Sequence, residues 1–352
     1  MAQNKRENKT LVAKTKIKTF DELRALIKGF PGPDKAAARL AAAREPQLTK
    51  PEGSLGRLED IAAWLAAWQG RHPPLMERPR VHVFAGNHGV TAQGVSAFPP
   101  EVTRQMVANF RHGGAAINQL CRMVGAELCV EEMDLDQPTR DFSEAPAMDE
   151  DECVQAIVFG MDVVTDDTDV LCLGEMGIGN TTTAAALCHA LFGGEAIDWT
   201  GPGTGVGGQA LVDKTTIVGK AVSLHRNQMS DGLSVMQHVG GRELAAIAGA
   251  IIGARLKRVP VLLDGYVSTS AAAVLAGFGD GMLDHCMVAH VSAEPSHARL
   301  LAKLDKTPLV DLGMRLGEAS GAALAVNILR AAVACHTGMA TFAEAGVSEK
   351  ED

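Results

Sequence analysis

Val170-Leu171-Cys172-Leu173-Gly174-Glu175-Met176-Gly177-Ile178-Gly179-Asn180-Thr181-Thr182 joins an apolar, β-rich run to a glycine-punctuated turn, and a helical pattern follows over 182–191. A strand that opens a helix through such a turn is half of a βαβ unit. The turn offers backbone N–H groups beside the positive end of a helix dipole, which suits phosphate. It is not a Walker A loop, because no Lys follows the second glycine, and Thr182 fills the third-glycine place of GxGxxG. Gly177, Gly179, Asn180 and Thr181 are candidate phosphate contacts, although an ordinary strand-to-helix turn accounts for the pattern equally well. Glu175 is the unusual neighbour: a carboxylate beside a phosphate site needs a task of its own.

The same grammar extends in both directions. Short apolar runs at 81–85, 127–130, 259–263, 286–291 and 309–312 alternate with helical patterns such as 243–256 and 295–304. This alternation predicts an α/β fold: a Rossmann-like open parallel sheet with flanking helices and right-handed crossovers. The runs end in Gly86-Asn87-His88-Gly89, Asp134, Asp264-Gly265, Ser292-Ala293-Glu294-Pro295 and Gly313-Met314-Arg315-Leu316-Gly317-Glu318. Ligands of open parallel sheets bind at the carboxyl ends of the strands, so these residues point to one cleft.

Before Pro79 the chain reads as helical. Thr19 and Glu22 have capping-box spacing, Asp34 can cap the run 35–45, and Leu58, Ile61, Leu65 and Trp68 form an apolar stripe. Pro73-Pro74 and Pro79 mark a boundary, and the acidic stretch 134–151 reads as a surface connection.

Composition narrows the class. At about 150 residues per domain, 352 residues suit one large domain or two ordinary ones. Hydrophobic residues at 46% supply a core, built from Ala, Val, Leu and Ile because aromatics are only 4%. With 33 basic and 42 acidic residues the net charge is −9, which argues against nucleic acid as a partner. Seven cysteines without a CxxC pair describe neither a disulfide framework nor a zinc ribbon and fit a reducing, cytoplasmic setting. The most apolar helical stretch, 244–254, stops at Arg255 and Lys257, so no membrane insertion is expected. Residues 1–18 lack a secretory apolar segment and read as a disordered tail.

Other candidates have bland readings beside the functional ones. The glycines of Thr200-Gly201-Pro202-Gly203-Thr204-Gly205 permit close approach of a ligand or form a solvent-facing linker. Lys214 can pair with phosphate or stand in solvent. Glu318 can favour the start of the last long helix as a first-turn carboxylate, or act as a base on a rigid element. His285, His290 and His297 match no metal motif, so no metal is expected, and no GxSxG supports a hydrolase.

Several segments together carry a resemblance. They are Lys50-Pro51-Glu52-Gly53-Ser54-Leu55-Gly56-Arg57-Leu58-Glu59, Asn87-His88-Gly89-Val90 with Gly94-Val95-Ser96-Ala97-Phe98-Pro99, and Gly113-Gly114-Ala115-Ala116-Ile117-Asn118. To these add 175–182, Asp264-Gly265 and Arg315-Leu316-Gly317-Glu318. From about Lys50 to Val347 the chain resembles the nicotinate-nucleotide:dimethylbenzimidazole phosphoribosyltransferases of cobalamin nucleotide-loop assembly. The resemblance implies a large Rossmann-like domain over 80–321 and a small helical domain from 19–79 with about 322–352. It also implies a cytoplasmic homodimer without cofactor that transfers phosphoribose from nicotinate mononucleotide to 5,6-dimethylbenzimidazole with inversion.

By position, Glu318 matches the family's general base. Glu175, Gly177, Gly203, Lys214, Asp264, Ser292 and Arg315 match the mononucleotide site, and Leu316, Gln93 and Phe98 the place of the acceptor base. A catalytic part for Glu175, in charge stabilisation or ribose binding, follows from the same match. Two departures are visible: Glu52 where a second Pro is common, and Ala319-Ser320 where Gly-Thr is common. Transfer to another acceptor (adenine, another benzimidazole or a phenol) and a non-catalytic nucleotide sensor are the competing readings.

Overall fold

Five parallel strands form one sheet: β1 (Pro79–Ala85), β2 (Glu127–Glu132), β3 (Val170–Met176), β4 (Val261–Leu263) and β5 (Cys286–Val288). Their spatial order is β2-β1-β3-β4-β5 in the computed structural model, which describes residues 16–348. The chain leaves β1 for the edge strand β2 and returns to the other side of β1 as β3. A crevice therefore opens at the carboxyl ends of β1 and β3, the switch point of this topology. This is the open parallel α/β sheet with flanking helices that the strand–helix alternation predicts. The expected disordered tail over 1–18 lies largely outside the described residues.

Fourteen helices accompany the sheet among the described residues. The amino-terminal ones are α1 (Phe20–Lys28), α2 (Lys35–Arg44) and α3 (Arg57–Gln69). Between strands lie α4 (Glu101–His112), α5 (Ala116–Val124), α6 (Glu150–Asp162), α7 (Asn180–Phe192), α8 (Gln209–His225), α9 (Gly232–Val239), α10 (Arg242–Lys257) and α11 (Tyr266–Ala276). After β5 come α12 (Pro295–Lys303), α13 (Ser320–Gly338) and α14 (Phe342–Ala345). The caps read from sequence form: Thr19 and Glu22 make a capping box, and Asp34 accepts from Ala36 and Ala37 N–H at 2.9 Å.

The sheet separates two cores because alternate strand residues face opposite ways. Phe84, Leu171 and Leu173 bury against helices that include α6, α7, α10 and α11, and Phe20, Leu23 and Ile27 of α1 join this side. Val81, Val83, Val170 and Cys172 bury against Ile61 and Leu65 of α3, Ile117 of α5, and Val326 and Leu329 of α13. The segment 19–79 is thus divided between the two faces. Helices α6 and α10 pack backbone on backbone: a Cβ on Gly160 would lie 1.9 Å from the Ala246 carbonyl, and one on Gly249 1.9 Å from that of Ile157.

Two expectations are corrected. The run 309–312 is no strand; it makes a single parallel bridge, Val310 to His290, because Pro308 precedes it and Gly313 turns away at φ +65°. The stretch 134–151 is more than a surface connection. It lacks strands before α6 begins, yet Phe142 and Met148 are fully buried and anchor it in the core.

Candidate active site

The crevice floor is the turn between β3 and α7. Gly179 caps α7 at φ +94°, and a Cβ on Gly177 would meet the Gly86 carbonyl at 2.7 Å. Both positions require glycine, which lets the end of β3 lie against the end of β1. The turn carbonyls already take several N–H groups: Asn180 donates to Gly177, and Thr182 and Thr183 donate to Gly179. Side chains therefore supply more of the anion-binding capacity than the sequence pattern suggests.

Those side chains converge from three elements. Lys214 of α8 is buried, not solvated, and its Nζ donates to Thr181 Oγ1 and the Gly201 carbonyl, both at 2.9 Å. Burial pulls its pKa down to about 8, against the pull of nearby Glu294. Arg315 donates to the Gly203 carbonyl at 3.1 Å, while Glu294 accepts from the Gly203 N–H. Gly203 has φ +54°, and a Cβ there would meet Thr181 Oγ1 at 2.5 Å. The 201–205 loop is accordingly clamped against the helix start and is no free linker.

Behind the cavity lies an acidic cluster, of which Glu175 alone lines the wall while Asp264 and Glu318 sit behind it. Glu175, at the end of β3, accepts from Asn180 Nδ2. Burial first, then the charges of Asp264, Glu243 and Glu318, push its pKa to about 8. Asp264, just past β4, is buried and raised to about 7, with burial outweighing the Gly321 and Ala322 N–H groups it accepts from at 2.7 and 3.0 Å. It caps α13 and does not line the cavity itself. Glu318 is buried with φ +62°, followed by Ala319 at +61°, two non-glycine residues in the left-handed region. Burial raises its pKa, opposed by the Ile117 N–H at the start of α5. Its Oε2 has no hydrogen-bond partner.

The turn bearing Glu318 sits directly on the sheet. A Cβ on Gly174 in β3 would lie 2.0 Å from Ala319 N, and one on Gly317 2.5 Å from Glu175 Oε1. Glu318 N also donates to the Glu175 carbonyl at 3.2 Å.

Of the residues predicted from sequence, Glu175, Gly177, Asn180, Thr181, Gly203, Ser292, Arg315 and Leu316 line the crevice cavity. Gly179, Asn180, Thr181 and Lys214 border a smaller cavity that shares Gly177 and Thr204 with it. Gln93 donates to Asp141 at 2.6 Å, Leu316 stands about half exposed at the cavity, and Phe98, equally exposed, does not line it. The sequence placed Glu294 and His88 only within strand-end segments pointing to the cleft and gave them no role; it missed His290 and Tyr266, which line the cavity with Glu294, and Glu243, which forms with His88 a fully buried pair at 2.6 Å beneath it. His88 Nδ1 meets Thr183 Oγ1 at 3.0 Å, and Gly86, Gly177 and Gly241 leave room for the pair. The signal was there: Gly86-Asn87-His88-Gly89 ends a strand and Glu243 opens a helix.

An α/β transferase site that sets buried carboxylates opposite a Lys–Arg-bordered, glycine-lined end is the class this fold defines. The chain belongs to the phosphoribosyltransferase family whose model, DBI_PRT, matches residues 30–347. It is 58% identical over 332 residues to the nicotinate-nucleotide–dimethylbenzimidazole phosphoribosyltransferase of Rhizobium meliloti, covering 94% of this chain and 98% of that one. The protein of the same name from Cereibacter sphaeroides is also 58% identical, over 326 residues, 93% of this chain and 96% of its own. A crystal structure of the Thermus thermophilus protein of that name superposes with a TM-score of 0.83 at 39% identity, covering 90% of this chain and all of that one.

Proposed function

We propose that this chain transfers the phosphoribosyl group of nicotinate mononucleotide to 5,6-dimethylbenzimidazole, giving nicotinate and α-ribazole 5′-phosphate. The observation that carries the reading is the charge layout of the crevice. Glu175, Asp264 and Glu318 are buried together, and the charges that bear most on Glu175 are further carboxylates. Such a group is costly without a cation. The pyridinium ring of the mononucleotide brings one, while its phosphate suits Lys214, Arg315 and the 177–181 turn.

In the reaction the bond between the ribose anomeric carbon and the nicotinate nitrogen breaks, and its electron pair leaves with nicotinate. The unprotonated nitrogen of the benzimidazole attacks the same carbon from the other face, which inverts it. The proton on the second azole nitrogen passes to the Glu318 carboxylate. No acid is needed, because neutral nicotinate nitrogen is a good leaving group. General base catalysis contributes about 10²–10⁴-fold, and holding both rings across one carbon supplies much of the rest. Glu175 faces the charge that builds on the ribose, and Leu316 and Phe98 offer apolar surface to the acceptor.

The half-exposed Leu312, Leu316 and Phe98 support a homodimer in which the rim is covered, and the free thiols suit a cytoplasmic setting. No helix among the described residues is long and apolar enough to cross a membrane. The test is nicotinate release from the mononucleotide with dimethylbenzimidazole present, for wild type and Glu318→Gln. We expect the variant to lose about 10²–10⁴-fold in kcat. Full retained activity would remove Glu318 as the base, and no release by wild type with any azole would remove the function.

A further inference from the structure

Away from the crevice, three potential metal ligands meet across the edge of the sheet. His82 on β1 is the register partner of Cys129 on β2, and Phe84 is that of Glu131. Strand alternation therefore sets His82, Cys129 and Glu131 on one face. Their donor atoms all lie within 4.8 Å of one another. His82 is buried, packed against the Phe84 ring at 6.0 Å, and its Nδ1 makes no directed hydrogen bond although Glu131 Oε1 is 3.3 Å away. A tetrahedral zinc ion with bonds of about 2.0–2.2 Å to nitrogen and oxygen sets those atoms about 3.4 Å apart. The observed separation already fits that edge of the tetrahedron.

We propose that His82 Nδ1, Cys129 Sγ and a Glu131 carboxylate oxygen form a zinc site that fastens the edge strand β2 to β1. The mixed nitrogen, sulfur and oxygen set suits a borderline-soft divalent ion and disfavours magnesium and calcium, which prefer oxygen alone. Water fills the fourth position, since Cys129 and Glu131 are only partly buried and leave an entry path. The site shares no residue with the crevice.

The experiment uses the full chain, stripped with a chelator and titrated with zinc by calorimetry and with cobalt by absorbance. Wild type should bind one equivalent, display a thiolate-to-cobalt charge-transfer band, and melt at higher temperature with zinc. Cys129→Ser should lose the band, and Cys129→Ser and Glu131→Gln should each weaken binding by about tenfold or more. Both changes fall at partly exposed positions, and metal-free melting temperatures check that the fold is kept. If a variant fails that check, the wild-type cobalt spectrum alone decides whether a thiolate ligates. Absence of saturable binding, a cobalt spectrum without the thiolate band, or equal affinity in both folded variants would overturn the site.

Discussion

Glu175 carries an unusual proton. With its pKa near 8, the free protein holds it largely neutral at neutral pH, and a bound pyridinium cation should draw that proton off. Mononucleotide affinity is therefore expected to improve as pH rises toward 8, with proton release seen as buffer-dependent binding heat; Glu175→Gln should flatten both. The stability sign runs the other way. A carboxyl raised above its unfolded value near 4.5 keeps more protons in the native state, so its contribution is full below that value and fades as pH climbs to about 8. Glu175→Gln should thus melt higher than wild type at pH 8 by at least about 1 kcal/mol, and by less at pH 5. A melting difference that does not change with pH would contradict the shift. Residues of this kind were legible as types at strand ends. Their proton states were not, because the acidic neighbours come from β4, α10 and the turn before α13, far apart in the chain.

Among the elements, the start of α13 is the most informative. Two αL residues precede it, and Asp264 from another strand holds its first N–H groups. Asp264→Ala removes that cap and should cost about 1–2 kcal/mol in denaturant unfolding, together with activity, since the turn bearing Glu318 loses its tether. If the variant unfolds as wild type does, the cap carries no stability. Ala319 is the second of these αL residues. At φ +61° a Gly would relax about 1 kcal/mol of backbone strain. Periodicity revealed long helices and all five strands, matched the carboxyl ends of β1 and β4 and missed those of β2, β3 and β5 by two or three residues, and residue type alone gave the caps at Thr19 and Asp34. It misread 309–312, where a β-rich run is limited to one bridge by its flanking Pro and Gly. It also underrated 134–151, because two buried side chains, Phe142 and Met148, are enough to pin a polar loop.

At the scale of the whole molecule, the sheet topology gathers chemistry that the sequence scatters. Strand order was not readable from periodicity; only the switch between β1 and β3 explains why Gly86–His88 touches Gly177. The mononucleotide should bind the folded form alone and raise its stability by about 2.7 kcal/mol at a hundredfold excess over Kd. Lys214→Ala should remove most of that thermal shift, because the buried ammonium tethers the loop and helix that frame the phosphate end. An undiminished shift would show that the phosphate binds elsewhere. Sedimentation should register a dimer, and a purely monomeric chain at working concentration would count against a covered rim.

Gly174 has a further consequence for how this chain can be altered. The atom that a side chain there would strike first is the main-chain nitrogen of residue 319, not its methyl group. Shaving residue 319 to Gly consequently cannot make space, so a paired replacement at the two sites should recover no more than the roughly 1 kcal/mol of backbone strain that Gly relieves at 319 by itself. The turn bearing Glu318 and the third strand share one seam, which a change at residue 319 does not open.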